Sequence, residues 1–334
     1  MAADVVVVVV TYDRLALLLR CLDAIEGQTI RVNRVVVVDN AGSDTTRAAI
    51  MQRHPRVEIH ALSDNLGGAG GFAYGVATVR SQAGQIWLMD DDAAPRPDAL
   101  ARLLTARDRY PGEPVLVASR VVDHGGRPIR MNVPRRRPFA SKVARRAAGV
   151  AGCVPIRSAS FVSVLIDGDA CRRHDLPLAG YFIWNDDFEY TSRLLRDAVG
   201  LWCPASVVEH ATVTGGDPGP RFRYEVRNKV WLLLYSGALA PVEKLLYGGA
   251  TLRRWIAVIA RSNRRTLLLR CLFGGLGEGL LHRPRPTTDV LSRISACSGL
   301  RGLDVGHGGE VEAELSAGLE QPQHVPDDTG NVRC

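Results

Sequence analysis

The stretch Gln85-Ile86-Trp87-Leu88-Met89-Asp90-Asp91-Asp92 places three carboxylates directly after a short apolar run. The run has the length and character of one buried strand. Three adjacent like charges repel one another, so a strand end tolerates them only where water or a cation takes up the charge. A hard divalent ion such as Mg²⁺ or Mn²⁺ suits that role because it prefers oxygen ligands. For this stretch alone, the alternative is a solvated aspartate turn before a helix that begins near Pro97.

The chain on the N-terminal side of these aspartates alternates between strand-like and helix-like segments. Residues 5–10 form a continuous valine run, typical of a strand buried on both faces of a parallel sheet. Further strands are predicted over residues 34–38, 57–62 and 86–89, with helices over residues 15–26, after Ser43 or Asp44, and from Phe72 to Val79. This alternation predicts an α/β fold with a parallel sheet and right-handed crossovers.

Polar residues follow four successive strands, at Thr11, Asp39, Asn65 and Asp90. Ligands of such sheets bind at the carboxyl ends of the strands, so these side chains are expected to converge. A glycine-rich stretch over residues 68–73 fits the G-x-G-x-x-A pattern of dinucleotide-binding folds, but it follows the third strand instead of the first. We therefore favour a strand-to-helix turn that lets a ligand approach the backbone closely.

The chain after the aspartates continues with predicted strands over residues 115–122, 158–166 and 201–208, the last followed by His210. Residues 127–146 hold eight Arg or Lys and no acid, and the small number of core residues among them favours a mobile surface loop. In Trp184-Asn185-Asp186-Asp187, Asp186 fits a helix cap, with Glu189 completing a capping box. The alternative is that this acidic pair supplies a carboxylate base beside aromatic rings.

These residues resemble the inverting family-2 glycosyltransferases, which have the GT-A fold: a Rossmann-like, mostly parallel sheet flanked by helices. The resemblance covers residues 4–230, and it rests on residues 10–14, 38–40, 65–72, 90–92 and 185–189 and on His210. The glycine-rich stretch, the triple aspartate and Trp184-Asn185-Asp186-Asp187 look most like bacterial galactofuranosyltransferases, and rhamnosyltransferases share much of the pattern. One departure is Asn185-Asp186-Asp187, where many relatives have Glu-Asp after Gly, or Trp-Asp-Asp.

The resemblance implies roles for individual residues. Asp90, Asp92 and His210 would hold Mn²⁺ or Mg²⁺, although a lone histidine after a strand is otherwise more often structural. Asp187 would be the catalytic base, with Asp186 as second choice. The residues expected to contact the donor or its nucleotide are Thr11, Tyr12, Arg14, Asp39, Asn40, Asn65, Gly67, Gly68, Gly70, Gly71, Asp90, Asp91 and Trp184.

The expected reaction moves a sugar, galactofuranose or rhamnose, from a UDP- or dTDP-linked donor to a hydroxyl of a glycan or lipid-linked acceptor. One alternative is a sugar nucleotidyltransferase, which would want a glycine-rich loop directly after the first strand, where this chain has Thr11-Tyr12-Asp13-Arg14. Another is a basic protein that binds membranes or nucleic acid. No nucleic-acid partner is expected, because carboxylates at the sheet edge would repel phosphate in the absence of metal.

Charge and composition suggest three parts. Residues 1–220 would be the catalytic domain, residues 221–286 a basic amphipathic helical extension, and residues 287–334 an acidic, glycine-rich disordered tail. The extension suits an anionic membrane surface, or equally a helix packed on the catalytic domain. Seven cysteines without a C-x-x-C pair, and no apolar run of about 18 residues, predict a cytoplasmic protein, peripheral at most on the inner face of the membrane.

Overall fold

The computed structural model describes residues 4–211 and 217–298. Ten strands and eleven α-helices are assigned within these residues. In chain order they are β1 (Val5–Thr11), α1 (Leu15–Glu26), β2 (Arg34–Asp39), α2 (Asp44–Arg53), β3 (Glu58–Ala61), α3 (Gly67–Val79), β4 (Gln85–Asp90), β5 (Ala93–Pro95), α4 (Ala99–Arg109), β6 (Leu116–Val122), β7 (Arg135–Arg136), α5 (Lys142–Val150), β8 (Val154–Ser158), β9 (Ser163–Asp167), α6 (Gly168–Arg173), α7 (Asp186–Leu194), β10 (Gly200–His210), α8 (Phe222–Leu234), α9 (Pro241–Arg261), α10 (Arg265–Leu281) and α11 (Thr287–Ser298).

The strands form one mixed sheet in the order β3-β2-β1-β4-β9-β6-β10-β8-β7, with β5 paired to β10. The first four neighbours are parallel, as predicted, and β9 runs antiparallel between β4 and β6. The single strand predicted over residues 158–166 was wrong, because that apolar stretch belongs to two separate strands, β8 and β9. The break is held by Thr191, whose hydroxyl bonds both the N–H and the carbonyl of Ala159 at 3.1 Å.

Strand β1 is buried on both faces, as its valine run predicts. Val5, Val7 and Val9 belong to one core with α1 and α4, and Val6, Val8 and Val10 belong to another with α3 and α7. Alternate side chains of a strand point to opposite faces, so one six-valine segment contributes to both cores. The carboxyl end of β1 is thereby fixed at the middle of the parallel part of the sheet.

Helix α3 begins at Gly67, five residues earlier than predicted, and lies unusually close to the sheet. A Cβ atom at Gly71 would stand 2.4 Å from Val10 Cγ1, and one at Gly75 would stand 2.3 Å from Val8 Cγ1. Glycine is therefore required at these two positions by packing, since any side chain would overlap the buried strand. Glycine content had suggested a loop, but here it brings the start of a helix against β1.

The arginine-rich segment, residues 127–150, is more ordered than the mobile surface loop that the sequence predicted over residues 127–146. It contains β7, which pairs with β8, and α5, whose start is capped by Ser141 Oγ accepting from Ala144 N–H at 3.0 Å. The loop prediction failed because a small number of core residues was taken as a sign of irregular structure, whereas the Ser141 cap and the small apolar residues of α5 support a helix.

The C-terminal helices pack on one another and on the catalytic part of the chain. Phe222 and Val226 of α8 form a small core with Trp255 of α9 and with Leu268 and Cys271 of α10. None of the helices within residues 4–211 and 217–298 combines the length and apolar character needed to cross a bilayer.

The prediction that the disordered tail begins at residue 287 was wrong for its first twelve residues, which form α11. The hydroxyl of Thr287 accepts from Ala179 N–H at 3.1 Å and donates to the carbonyl of Pro177 at 2.8 Å, so the start of α11 is tied to the catalytic domain. Its Leu291 is fully buried against the same core as α3. Residues 299–334 lie outside the described residues.

We predict that Gly75→Ala lowers stability by about 1–2 kcal/mol, because the overpacking cost exceeds the gain in helix propensity. Gly68→Ala, in the same helix, is the matched control: a Cβ atom there meets nothing within 4 Å. Its stability should equal or slightly exceed that of the wild type. Urea unfolding of both variants measures the difference, and a Gly75→Ala protein as stable as Gly68→Ala would contradict the close helix–sheet packing.

Candidate active site

The ends of β4 and β10 bring Asp90, Asp92 and His210 together. The residues directly after the aspartates form β5, which pairs antiparallel with β10 so that Ala93 is opposite His210. One ligand atom from each of Asp90, Asp92 and His210 lies within 4.8 Å of the other two. Two ligands of one ion are at most about 4.2 Å apart when each bond is about 2.1 Å long. The three side chains therefore need only a small closure to hold one divalent cation.

Asp91, the central aspartate, is anchored to β1. Its Oδ2 accepts a hydrogen bond from Thr11 Oγ1 at 2.7 Å, and it also accepts from the backbone N–H of Tyr12. Arg14 Nη1 lies 3.5 Å from Asp91 Oδ1 and 3.0 Å from Asp92 Oδ2. These bonds join the ends of β1 and β4. A nucleotide contact by Thr11, Tyr12, Arg14 or Asp91 stays a prediction.

Burial and mutual repulsion dominate the electrostatics of the aspartates. Burial, then the charge of Asp92, raises the pKa of Asp90 to about 7, and burial raises the pKa of Asp91 to about 6 against the opposing bonds from Thr11 and Arg14. Burial lowers the pKa of His210, but the hydrogen bond of its Nε2 to Asp92 Oδ1, 2.8 Å long, outweighs this and the net shift is upward. Near neutral pH the cluster thus carries protons that a divalent cation would displace.

Asp39 and Asn40, the polar residues at the end of β2, bond to the backbone of neighbouring turns at the carboxyl edge of the sheet. Asp39 is buried, and its two carboxylate oxygens accept from the N–H groups of Ala41, at 2.9 Å, and Ser43, at 3.1 Å. Asn40 donates to the carbonyl of Gly67 at 3.2 Å and accepts from Leu66 N–H at 3.3 Å. Both residues fix turns at the carboxyl edge of the sheet, and their contacts to a nucleotide stay predictions.

The glycine-rich stretch is mostly packed against protein. Asn65 Oδ1 accepts from Gly67 N–H at 2.8 Å, and a Cβ atom at Gly67 or Gly70 would overlap Phe182 or Leu66. Of Gly67, Gly68, Gly70 and Gly71, only Gly68 has open space where a Cβ would point. Gly68 is therefore the position in this stretch at which a donor could come closest to the backbone.

The acidic pair follows a strained turn. Phe182, Trp184 and Asn185 have φ angles of 65°, 66° and 68°, in the left-handed region that non-glycine residues seldom adopt. Such backbone persists only where surrounding contacts hold it, and it is common at functional sites. The capping-box prediction for Asp186 was wrong: Asn185 is the cap residue, Asp186 is the first residue of α7, and Glu189 instead bonds Arg193 at 2.9 Å.

Helix α8 holds this turn through residues that sequence reasoning did not select. The side-chain amide of Asn228 donates to the carbonyls of Tyr181 (3.0 Å), Ile183 (2.8 Å) and Trp184 (2.8 Å). Arg227 donates to the Tyr181 carbonyl at 2.9 Å. The sequence does contain a signal for this role. Four of the five residues at positions 225–229 are polar, Arg227 and Asn228 among them, although α8 is otherwise rich in apolar residues. Buried polar groups need partners, and here the partners are strained carbonyls.

Asp186 and Asp187 are close to the cluster of Asp90, Asp92 and His210 on one side. On the other side they are close to the cationic side chains of Lys229 and Arg135. Burial raises the pKa of both carboxyls, and Asp187 is opposed by the N–H of Phe188, 2.6 Å from its Oδ1, and then by Lys229 and Arg135. The start of a helix favours an ionised carboxylate, but burial outweighs this effect on the pKa of both residues. The charge of Asp187 raises the pKa of Asp90, and that of Asp90 raises the pKa of Asp186, so the two acid clusters act within one site.

An aromatic pair lies beside Asp187, formed by the next residue in the chain, Phe188, and by Tyr247 of α9. The rings of Phe188 and Tyr247 stack with centroids 4.8 Å apart. Lys229 Nζ bonds the Tyr247 hydroxyl and lies 4.9 Å from the Phe188 ring centroid, while the Arg135 guanidinium lies 5.1 Å from each of the two ring centroids. Burial lowers the pKa of Lys229 to about 8, so this ammonium is still largely charged at neutral pH.

Comparison with solved structures confirms the predicted GT-A fold. The chain superposes on residues 1–349 of Staphylococcus aureus TarS with a TM-score of 0.58 at 13% identity, covering 84% of this chain and 81% of that one. It superposes on the mannosyltransferase PcManGT of Pyrobaculum calidifontis, solved with GDP-Man and Mn²⁺, with a TM-score of 0.52 at 18% identity, covering 90% and 82%.

Sequence comparison gives the family. Residues 6–167 match Glycosyl transferase family 2. The galactofuranosyltransferase GlfT1 of Mycobacterium tuberculosis is 30% identical over 295 residues, which cover 80% of this chain and 93% of that protein. GlfT1 of Mycolicibacterium smegmatis is 28% identical over 293 residues, covering 77% and 95%. With an aspartate–histidine cluster and a second acidic pair at one edge of a GT-A sheet, this chain belongs to glycosyltransferase family 2 and is a glycosyltransferase.

Proposed function

We propose that this enzyme is a metal-dependent inverting transferase that moves a sugar from a nucleotide diphosphate sugar to an acceptor hydroxyl. One observation carries the proposal: Asp90, Asp92 and His210 have metal-ligand spacing, while the charge of Asp187 reaches Asp90 from a separate element. Inversion by direct displacement needs a base on the side opposite the leaving group. Two acid clusters on different elements of one site meet that need.

The donor we propose first is UDP-galactofuranose, because two of the relatives are named galactofuranosyltransferases and are matched over nearly their whole length. A dTDP-linked rhamnose is the second candidate, from the motif resemblance. The acceptor is a glycan or a lipid-linked glycan, and no nucleic acid is expected. A sugar nucleotidyltransferase is disfavoured, because the turn after β1 lacks glycine and its Arg14 is engaged with Asp91 and Asp92.

Asp90, Asp92 and His210 would hold the cation. Bound there, Mn²⁺ or Mg²⁺ supplies Lewis-acid neutralisation of the diphosphate leaving group. Arg14, about half exposed and 3.0 Å from Asp92, adds a fixed positive charge on the same side. Asp39, Asn40, Asn65 and Gly68 would shape the nucleotide end of the site, and Trp184 would flank the sugar.

Asp187 would take the proton of the acceptor hydroxyl. Phe188 N–H fixes its Oδ1 at 2.6 Å, which leaves Oδ2 to accept the proton. Burial raises the pKa of Asp187, and Lys229 and Arg135 oppose that shift and so favour its ionised form. Asp186 is the second choice for the base because burial and the neighbouring charges of Asp187 and Asp90 favour its protonated form more strongly.

We also propose a cytoplasmic location at the inner face of a membrane, with a division of the chain near residue 220 between the catalytic domain and the helices that pack on it. The described cysteines support a reducing compartment because all are free and buried: Cys21, Cys153, Cys171, Cys203 and Cys271. The basic, amphipathic α9 supports contact with anionic lipid.

The donor assignment predicts that UDP is released from UDP-galactofuranose faster than dTDP from dTDP-rhamnose when Mn²⁺ and a glycan acceptor are present. The measurement is coupled nucleotide release for each donor, with heat-treated enzyme as the blank. Faster turnover of dTDP-rhamnose would overturn the sugar while leaving the transfer reaction in place. Turnover of neither donor would contradict both assignments.

The metal assignment predicts that Asp92→Ala and His210→Ala each reduce transfer at least about a hundredfold, since both leave the leaving-group charge less neutralised. EDTA should do the same to the wild type, and Mn²⁺ should restore it. Glu209→Gln, beside His210 but outside the cluster, is the matched control and should stay near wild-type activity. Full activity in EDTA would overturn metal dependence.

The protonation of the cluster predicts a pH-dependent Mn²⁺ affinity. Asp90, with a pKa of about 7, and His210, with a raised pKa, both lose a proton as pH rises, so the Kd for Mn²⁺ should fall from pH 6 to pH 8. Each proton displaced contributes up to about tenfold per pH unit. Calorimetric titration checks this, and His210→Gln should show a shallower slope. A Kd that does not change with pH would place Mn²⁺ elsewhere.

The base assignment predicts that Asp187→Asn lowers kcat by about a hundredfold or more, the lower end of general-base contributions, while Mn²⁺ and UDP bind as in the wild type. Asp186→Asn, the neighbouring control, should do less harm to turnover. Single-turnover kinetics and UDP titration separate the two effects. If Asp187→Asn abolishes donor binding while turnover per bound donor survives, the carboxylate is a binding group.

A further inference from the structure

Two of the buried cysteines lie opposite each other on neighbouring strands. Strand β10 pairs antiparallel with β8, and Trp202 is opposite Val154. In this register the next residue of β10, Cys203, faces Cys153, which directly precedes β8. Both side chains belong to the core on the α1 and α4 side of the sheet, and the two thiols are hydrogen-bonded to each other.

The position of this pair in the ladder has the spacing of a disulfide. Pro155 has no N–H, so Pro155 and Leu201 form a pair without mutual hydrogen bonds. Bonded and non-bonded pairs alternate along an antiparallel ladder, which makes Cys153 and Cys203, two positions further along, another non-bonded pair. The Cα atoms of such pairs are about 4.5 Å apart, and disulfides join Cα atoms about 4.4 to 6.8 Å apart. A bond between the two sulfur atoms therefore needs little movement of either strand.

The surroundings of the Cys203 sulfur favour its thiolate form. The hydrogen bond from Cys153 lowers the pKa of Cys203, the backbone N–H groups of Ser206 and Ala205 lower it further, and burial opposes them. These two N–H groups are available because β10 changes register against β6 directly after Cys203. As a thiol, Cys203 can instead donate to the carbonyl of Arg102, 3.7 Å away. The thiolate is the nucleophilic form of cysteine, so Cys203 is more reactive than an ordinary buried thiol.

A surface cleft gives access to the pair from the Cys153 side. The cleft has a volume of about 320 Å³, and Cys153 lines it together with Arg136, Arg137 and Arg145 of the arginine-rich segment. Cys153 is 6% exposed and Cys203 is 2% exposed, so the opening suits a small oxidant better than a bulky one. Positive charge beside a thiol also favours its ionised form.

We propose that Cys153 and Cys203 are a peroxide-sensitive dithiol that closes to a disulfide between β8 and β10. The Cys203 thiolate attacks one oxygen of hydrogen peroxide, the O–O bond breaks, and the departing hydroxide takes up the proton that Cys203 had released. The product is a sulfenic acid and one water. The Cys153 sulfur then attacks the sulfenic sulfur, the S–O bond breaks, and the Cys153 proton leaves with the oxygen as a second water. The two thiols lose two electrons, and the peroxide gains them.

This disulfide would join the two ends of a segment that contains the acidic pair. Residues 153–203 include β8, β9, α6 and α7, and Asp186 and Asp187 begin α7. Joining the ends lowers the entropy of the unfolded chain, provided that the bond does not distort the folded strands. Oxidation should therefore raise the Tm by about 5 °C or more. The inference goes beyond the proposed transfer reaction and involves neither donor nor metal.

The test treats the reduced full-length chain with a small excess of hydrogen peroxide at neutral pH, removes the peroxide with catalase, and alkylates the remaining thiols in denaturant. Mass spectrometry should find a peptide pair joined through Cys153 and Cys203, and dithiothreitol should restore both thiols. Cys171 is the internal control. It is fully buried, it accepts from the Tyr190 hydroxyl at 3.5 Å, and burial raises its pKa to about 12, so it should stay alkylatable.

Two variants separate the roles of the two thiols. Cys153→Ala leaves Cys203 without a partner for the second step, so dimedone should label a sulfenic acid at Cys203. Cys203→Ala removes the thiolate, so Cys153 should be oxidised at least about tenfold more slowly than in the wild type. The rise in Tm on oxidation should be absent from both variants. The cross-link in the wild type needs no variant, so a variant that fails to fold leaves the test intact.

Three results would overturn the proposal. The first is a treated wild type in which Cys153 and Cys203 are still free. The second is oxidation of Cys171 to the same extent, which would show that the unfolded chain had reacted. The third is a cross-linked protein with an unchanged or lower Tm, which would show that the bond does not fit the paired strands. None of these measurements uses a sugar donor, so they stand or fall separately from the transfer reaction.

Discussion

The site depends on the contacts that offset the repulsion among three adjacent carboxylates at the end of β4. Asp91 accepts a hydrogen bond from Thr11, and Arg14 contacts both Asp91 and Asp92. His210 bonds Asp92 from the end of β10. Thr11 and Arg14 lie at and just after the end of β1, so the repulsion among the aspartates is offset only when the ends of β1, β4 and β10 lie side by side. The arrangement of these strands therefore also determines how the negative charges of the site are balanced.

Close packing between α3 and β1 fixes the position of the glycine-rich stretch relative to the end of β1. Gly71 and Gly75 let α3 contact Val10 and Val8, and the N-terminal turn of α3 is bonded to Asn40 and to the carbonyl of Phe182. The strained turn before Asp186 is thus held from one side by α3 and from the other by Asn228 of α8. Helix α8 lies outside the predicted catalytic domain, yet it is part of what orients the acidic pair.

Opposite charges are distributed across the site in a way that suits its two ends. Carboxylates and one histidine concentrate where a cation and a diphosphate would lie. Lys229 and Arg135 stand against Phe188 and Tyr247 at the other end, where they oppose the raised pKa of Asp187.

The sequence by itself determined the parallel β1–β4 core, because an unbroken valine run and a period of alternating segments have few other folds available. It also determined which residue types stand at the strand ends, and hence the Asp90, Asp92 and His210 cluster that the structure brings together. Local sequence patterns gave wrong predictions where contacts between distant residues determine the structure. Strand β8 ends at Ser158 and β9 begins at Ser163, with Thr191 bonded to Ala159 between them, and the arginine-rich segment is ordered by pairing with β8 and by the Ser141 cap. Asn228 holds strained carbonyls 44 to 47 positions earlier, at Tyr181, Ile183 and Trp184. Only the tertiary structure could decide such contacts, since a buried polar side chain is satisfied by whichever distant group the packing places beside it.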